Sequence, residues 1–353
     1  MKKAAIIVGA RPQFIKLAPL VEALTGKVDL LLIHTGQHYD FEMSDIFFKQ
    51  LNLPRVHYHL GVGSNSHTTQ VGKMMISLDE VFIRESPDLV VVIGDTNSTL
   101  AGALAAAQNF IPLVHVEAGL RSKNGHLPEQ INRIVADRLS DVMCCPTESS
   151  VRHLKSEGKT DGIFLTGDIL YDLIVRIKPS EVFTDALLKK HNLIKGKYIL
   201  MTTHRAENVD NPKFLKALVS GLKKITGNVF LPLHPRTEKQ LRLAGLYDEL
   251  SSNPMVQLSK PVGIIESLAL TESSLGVITD SGGLQREAAY LGKRSYILRD
   301  ETEWLELAEY GAVTCIGNGF DNHELNWEAV DVPRDYFKSA SVNITNSIIG
   351  SIL

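Results

Sequence analysis

The sequence has little cysteine, no long apolar run and no dense block of one charge. Its three cysteines, Cys144, Cys145 and Cys315, are too few for a disulfide framework. The adjacent pair lies in an apolar run, so buried thiols in a reducing compartment are expected. No stretch approaches the roughly 20 apolar residues of a membrane span. The start, two lysines before a short apolar strand that runs into Gly9-Ala10-Arg11-Pro12, lacks the form of a signal peptide. A cytoplasmic protein without a membrane partner is therefore expected. Lys and Arg number 37 against 40 Asp and Glu, a formal charge of −3. Without a basic run, the electrostatic footprint of a nucleic-acid binder is missing, and any bound anion is expected to be small and locally held.

Also absent is Gly-x-Gly-x-x-Gly behind the first strand. Arg11 and Lys16 stand where a pyrophosphate would need bare backbone, which argues against a nicotinamide. No Cys/His ligand spacing accompanies the acidic residues. Neither cofactor nor metal is expected.

What is present is the balance of an ordinary globular protein, 44% hydrophobic and 22% charged over 353 residues. That length favours two domains. Short Val/Ile/Leu-rich runs at 4–8, 30–34, 89–93, 113–116 and 142–145 read as buried parallel strands. Segments of helical period lie between them, at 14–24, 68–84, 100–109, 129–139 and 149–157. The rhythm pauses over 169–195 and restarts with strands at 198–202, 229–233, 255–258, 276–279, 295–298 and 312–316, and helices at 212–226, 264–272 and 284–291. The expected fold is α/β, two Rossmann-like doubly wound domains facing a cleft: 1–170, 171–335, and a last helix in 336–353 that crosses back to the first.

Ligands of open α/β sheets bind beyond the carboxyl ends of the strands, so residues just after strands are the candidates. After the first strand come Arg11 and Lys16 around a Pro12 suited to a first helical turn. Arg11 is otherwise a surface arginine. After the third comes Asp95, which is either functional or an ordinary helix cap. The next run ends in His115-Val116-Glu117-Ala118-Gly119, followed by Pro128-Glu129 and Arg133. Asp95, Glu117 and Glu129 are expected to converge, and clustered carboxylates in a partly dry cleft raise one another's pKa, as a general acid or base requires. In the second half, Thr203-His204-Arg205 suits proton transfer or phosphate contact, or simply loop stability. Ser281-Gly282-Gly283 leads from a strand straight into a helix, which makes an anion site. Glu287, one turn in, would repel a phosphate but can accept the two hydroxyls of a ribose.

With these stretches, and with His34-Thr35-Gly36-Gln37-His38 and Arg299-Asp300, nearly the whole chain resembles the non-hydrolysing UDP-N-acetylglucosamine 2-epimerases. That resemblance implies a fold of the GT-B glycosyltransferase type, a UDP-sugar substrate, homodimerisation and a place in surface-polysaccharide precursor synthesis. It implies catalytic roles for Asp95, Glu117, Glu129 and His204, and substrate contacts from Arg11, Lys16, Arg133, Ser281, Gly282, Gly283 and Glu287. Three departures stand out: Gln13 where the family has Glu, Ala206 where it has a second arginine, and Trp304 where Thr-Glu-Arg-Pro-Glu is usual. Trp304 resembles the branch acting on UDP-2,3-diacetamido-2,3-dideoxy-glucuronate.

The carbon-2 hydrogen of such a sugar is not acidic. Expelling UDP from carbon-1 acidifies it, giving a glycal that can be re-protonated on the other face, and this needs cations on the diphosphate and acid/base groups on both ring faces. A GT-B glycosyltransferase, a hydrolysing epimerase and a silent nucleotide-sugar sensor are the competing expectations.

Overall fold

The computed structural model describes residues 1–37, 51, 53–122, 125, 127–317, 325–333, 337 and 339–352. His38 and part of the expected last helix lie outside them.

The chain divides into two units, Met1–Arg176 with Asp335–Leu353, and Ile177–Arg334. In the first, β1 (Lys3–Val8), α1 (Arg11–Leu24), β2 (Asp29–His34), β3 (Tyr58–His59), α2 (His67–Glu85), β4 (Leu89–Ile93), α3 (Asn97–Gln108), β5 (Leu113–Val116), α4 (Pro128–Leu139), β6 (Val142–Cys145), α5 (Glu148–Ser156), β7 (Ile163–Leu165) and α6 (Ile169–Arg176) succeed one another in order. The strands form one parallel sheet, β3-β2-β1-β4-β5-β6-β7. The Leu89–Ile93 run is buried throughout, as a strand covered on both faces must be. The last helix, α15 (Ala340–Ser351), packs against α1 and α6 and donates from Ser341 N and Oγ to Asp172 at 2.7 and 2.6 Å.

The second unit runs α7 (Glu181–Lys190), β8 (Tyr198–Thr202), α8 (Ala206–Val209), α9 (Pro212–Leu222), β9 (Asn228–Pro232), α10 (Pro235–Leu243), α11 (Tyr247–Ser251), β10 (Val256–Ser259), α12 (Ile264–Ser273), β11 (Val277–Thr279), α13 (Gly282–Tyr290), β12 (Ser295–Ile297), α14 (Leu305–Glu309) and β13 (Val313–Cys315). Its parallel sheet has the order β10-β9-β8-β11-β12-β13. Alternate residues of β8 feed opposite cores: Ile199 and Met201 join Phe214, Leu218 and Val229, whereas Tyr198 and Leu200 join Leu188, Ala269 and Ala288. The expected architecture of two doubly wound parallel domains is therefore the observed one. No helix among the described residues is long and apolar enough to cross a membrane.

Strand order creates one crevice in each unit. In the first sheet the chain winds outward in opposite directions from the adjacent pair β1 and β4; in the second it does so from β8 and β11. These reversals are topological switch points, where the turns beyond the carboxyl ends diverge and leave room for a ligand. The residues at those ends are Gly9 and Gly94-Asp95 in one unit, and Thr203-His204 and Asp280-Ser281 in the other.

Candidate active site

At the first switch point the backbone approaches its neighbours closely. A Cβ on Gly9 would lie 1.9 Å from Thr35 Oγ1 and 2.2 Å from Ser98 Oγ, so only glycine fits the turn between β1 and α1. Gln13, buried in the first turn of α1, clasps that turn. Its Oε1 accepts from Gly9 N and Ala10 N at 2.8 and 3.1 Å, and its Nε2 donates to Ile93 O at 2.9 Å, tying the end of β1 to the end of β4. Arg11 opens the helix with an exposed side chain. Lys16, one turn further, is buried and ion-paired with Glu117.

Glu117 comes directly after β5 with φ at 68°, in the left-handed region that costs a non-glycine residue of order 1–3 kcal/mol. It is only 5% exposed. A Cβ on Gly94 would stand 3.4 Å from both Glu117 Oε2 and Lys16 Nζ, so the ion pair lies directly against the end of β4. The next residue, Asp95, is ion-paired with the buried Arg133 of α4, and its carbonyl accepts from Asn132 Nδ2 at 2.9 Å. Asp95 is not a helix cap: Thr96 is the N-cap of α3, its hydroxyl accepting from Thr99 N. The capping alternative for Asp95 is therefore removed. Glu129 sits exposed in the first turn of α4, where its charge suits the positive helix end. The structure thus gathers Lys16, Asp95, Glu117 and Arg133 around the ends of β4 and β5, with Arg11 and Glu129 on the adjacent helix starts.

Beneath this set lies a buried polar group. His115 of β5 has Nδ1 2.6 Å from Asp137 Oδ1 and Nε2 2.7 Å from the Gly94 carbonyl. Asp137 Oδ2 accepts from Gly119 N at 3.1 Å and Arg121 Nη1 at 2.6 Å. Burial alone would raise the Asp137 carboxyl, but the charges and hydrogen bonds of His115 and Arg121 outweigh it and hold the group below the usual carboxylate range.

At the second switch point Asp280 is fully buried and organises the turn after β8. It accepts from Thr203 Oγ1 at 2.9 Å, His204 N at 3.1 Å, Arg205 N at 3.0 Å and Asn208 Nδ2 at 3.1 Å. His204 Nδ1 stands 3.3 Å from Asp280 Oδ1, close enough for the carboxylate to orient the ring. The side chain is 42% exposed, so it is available to a ligand. Ser281 caps α13, its Oγ accepting from Leu284 N at 3.3 Å. A Cβ on Gly283 would lie 3.8 Å from Glu287 Oε1, so the carboxylate expected to take a ribose sits under the glycine turn expected to take phosphate. Trp304 is buried, with the Arg286 guanidinium 4.2 Å over its ring, and Arg286 Nε donates to Gly282 O at 3.2 Å. The tryptophan therefore braces the glycine turn through Arg286.

Gln13, Asn132, His115, Asp137 and Asp280 carry much of this geometry and had no assigned role in the sequence. The available signal was one of position, since Gln13, His115 and Asp280 stand in or beside strand ends that otherwise hold apolar residues.

The model of the family described as UDP-N-acetylglucosamine 2-epimerase matches residues 22–330. A UDP-N-acetylglucosamine 2-epimerase of Methanocaldococcus jannaschii is 41% identical over 338 residues, covering 94% of this chain and 92% of that protein. A UDP-2,3-diacetamido-2,3-dideoxy-D-glucuronate 2-epimerase of Pseudomonas aeruginosa is 41% identical over 327 residues, covering 90% and 89%. The crystal structure of the M. jannaschii UDP-GlcNAc 2-epimerase in complex with UDP-GlcNAc and UDP superposes with a TM-score of 0.86 at 38% identity, covering 99% of each chain. By sequence and by fold, the chain belongs to the UDP-N-acetylglucosamine 2-epimerase family, whose members are isomerases.

Proposed function

We propose that this protein inverts carbon-2 of UDP-N-acetylglucosamine by eliminating UDP and adding it back. A base removes the carbon-2 hydrogen as the carbon-1 to oxygen bond breaks, leaving a glycal and UDP. A proton then arrives at carbon-2 on the opposite face and a UDP oxygen re-forms the bond to carbon-1. No electrons are gained or lost overall.

Asp95, Glu117 and Glu129 share the proton transfers, and His204 assists the departing phosphate. Arg11 and the turn at Ser281, Gly282 and Gly283 take the diphosphate, and Glu287 the ribose. Lys16 and Arg133 act through the carboxylates they pair with, fixing the aim of Glu117 and Asp95.

The observation that carries this reading is Glu117, a buried carboxylate held in a left-handed conformation against the end of β4. Backbone strain retained at a buried acid points to a functional constraint rather than a packing one. Glu117→Gln and Asp95→Asn should bind UDP as the wild type does and lose turnover by at least ~100-fold, the scale on which a general acid or base contributes. Undiminished turnover in either removes that residue from the proton path.

A second reading, epimerisation of UDP-2,3-diacetamido-2,3-dideoxy-glucuronate, is favoured by Trp304 and by the Pseudomonas relative. For assembly, the proposed partner is a second copy of this chain. Ile76 and Ile83 on α2, Phe110 after α3, and Ile131 and Ile134 on α4 are exposed, on helices that pack side by side. A cytoplasmic, reducing setting accords with three thiols of which two are fully buried.

A further inference from the structure

Three left-handed turns surround the carboxylates: Gly94 at φ 69°, Glu117 at φ 68° and Gly119 at φ 79°. The same buried pair of side chains ties down both flanking glycines. His115 Nε2 meets the Gly94 carbonyl, and Asp137 Oδ2 takes the Gly119 N–H. Glu117 lies between His115 and Gly119 in sequence, so its backbone turn is fixed from both sides.

The histidine's partners also define its state. A carbonyl oxygen can only accept, and an ionised carboxylate can only accept, so hydrogen bonds at both ring nitrogens require a hydrogen on each. The ring is 0% exposed. Its charge is balanced along a chain of alternating sign: Asp137, then Arg121, then Glu157, which Arg121 meets with two bonds of 2.7 and 2.6 Å. Around the ring the register partners are Val92 on β4 and Met143 on β6, neither charged. Cys145, its thiol pushed up by burial, and Lys159, whose ammonium burial pulls down, are the further titratable groups that sense Asp137.

We infer that His115 is a positioning residue: a buried, doubly protonated imidazole that, with Asp137, clamps the turns after β4 and β5 and so holds Asp95 and Glu117 where the chemistry needs them. The clamp rests on the proposed proton-transfer roles of those two carboxylates, but the charge state of the ring is testable without them. Neutralising the ring sets a lone pair against either Gly94 O or Asp137, which opens one turn and shifts the carboxylate beyond it. A displacement of about 1 Å at a reacting group can cost ~100-fold in rate.

The test uses the full chain labelled with 15N-histidine, the His115 signals being assigned with His115→Asn. Two protonated ring nitrogens at neutral pH are expected in the wild type. In Asp137→Asn, which preserves shape and removes the counter-charge, a pyridine-type nitrogen should appear. In steady-state assays His115→Asn should lose about 100-fold in kcat with KM little changed, while calorimetric UDP binding is retained. A pyridine-type nitrogen in the wild type, a ring still doubly protonated in Asp137→Asn, or full kcat in His115→Asn would each overturn the clamp. A histidine of purely structural importance would lower thermal stability and leave kcat of the folded protein intact, which also counts against it. If the wild type turns over no UDP-sugar, the epimerase reading fails, while the nitrogen spectra still decide the ring's state.

Discussion

Removing Lys16 alone should destabilise the first unit at least as much as removing Lys16 and Glu117 together. Both residues are under a tenth exposed and are ion-paired. Truncating one partner of such a pair takes the counter-charge away from a buried ion, at a cost of about 3–5 kcal/mol. Lys16→Met and Glu117→Gln should each approach that figure. The double variant removes both charges of the pair, so its loss should be no larger than either single one. The double-mutant cycle should then give a coupling energy of at least ~2 kcal/mol, well beyond the few tenths expected of independent sites. Urea unfolding followed by far-UV circular dichroism measures it. A single-variant loss of 3–5 kcal/mol corresponds to a midpoint shift of roughly 1–2 M for a slope near 3 kcal/mol/M. Trp304 and Trp327 both lie in the second unit, so their fluorescence provides a reference for that unit. Additive losses in the cycle would show that the two groups do not interact in the folded protein, and the aiming of Glu117 by Lys16 would fall with them.

The Gln13 clasp predicts a loss of about 2–6 kcal/mol in Gln13→Ala, because two buried N–H groups lose their acceptor at ~1–3 kcal/mol each. Gln13→Glu keeps that acceptor but sets a carboxylate against Ile93 O, so its folded carboxyl value rises and its deficit should appear in thermal melts only as pH climbs above about 4.3. A deficit independent of pH would contradict the orientation of the amide. Asp137, held below the usual carboxylate range, contributes stability that is present above its unfolded value of about 3.9 and is lost as pH falls through the lower folded value. The stability gap between wild type and Asp137→Asn should accordingly close on acidification, and parallel curves would contradict it. Burial pushes the Cys144 thiol up to about 12 and Cys145 upward as well, so both should resist Ellman's reagent in the native protein and react on denaturation. Rapid native labelling of two thiols would refute that burial.

Much of the fold was legible because its strands are short apolar runs that differ sharply from the segments between them. The five expected strands of the first half match β1, β2, β4, β5 and β6 to within a residue. Those missed, β3 and β7, have two and three residues and are only partly buried, so they carry almost no hydrophobic pattern. Short helices such as α8, α11 and α14 were missed for a related reason: one turn is too little for a 3.6-residue period to register. At the site, residues directly after strands could be found because strand ends at a switch point are where ligands bind. Partnerships could not. His115 and Asp137 are 22 residues apart, Lys16 and Glu117 are 101 apart, and Asp280 meets the His204 turn across 76 residues. Local sequence does not encode which polar side chains meet in a folded interior. Asp95 shows the limit from the other side, since a carboxylate at a helix start reads as a cap until the neighbouring Thr96 is seen to fill that place.

Reversible proton exchange at carbon-2 of a UDP-sugar is the central claim, and NMR of the purified protein in D2O tests it most directly. One sample holds UDP-N-acetylglucosamine and a second holds UDP-2,3-diacetamido-2,3-dideoxy-glucuronate. Deuterium at carbon-2 together with a manno-configured product in the first sample is the predicted result, and the same outcome in the second sample alone would assign the uronate branch. Product without deuterium, or neither product nor deuterium in either sample, would contradict the claim.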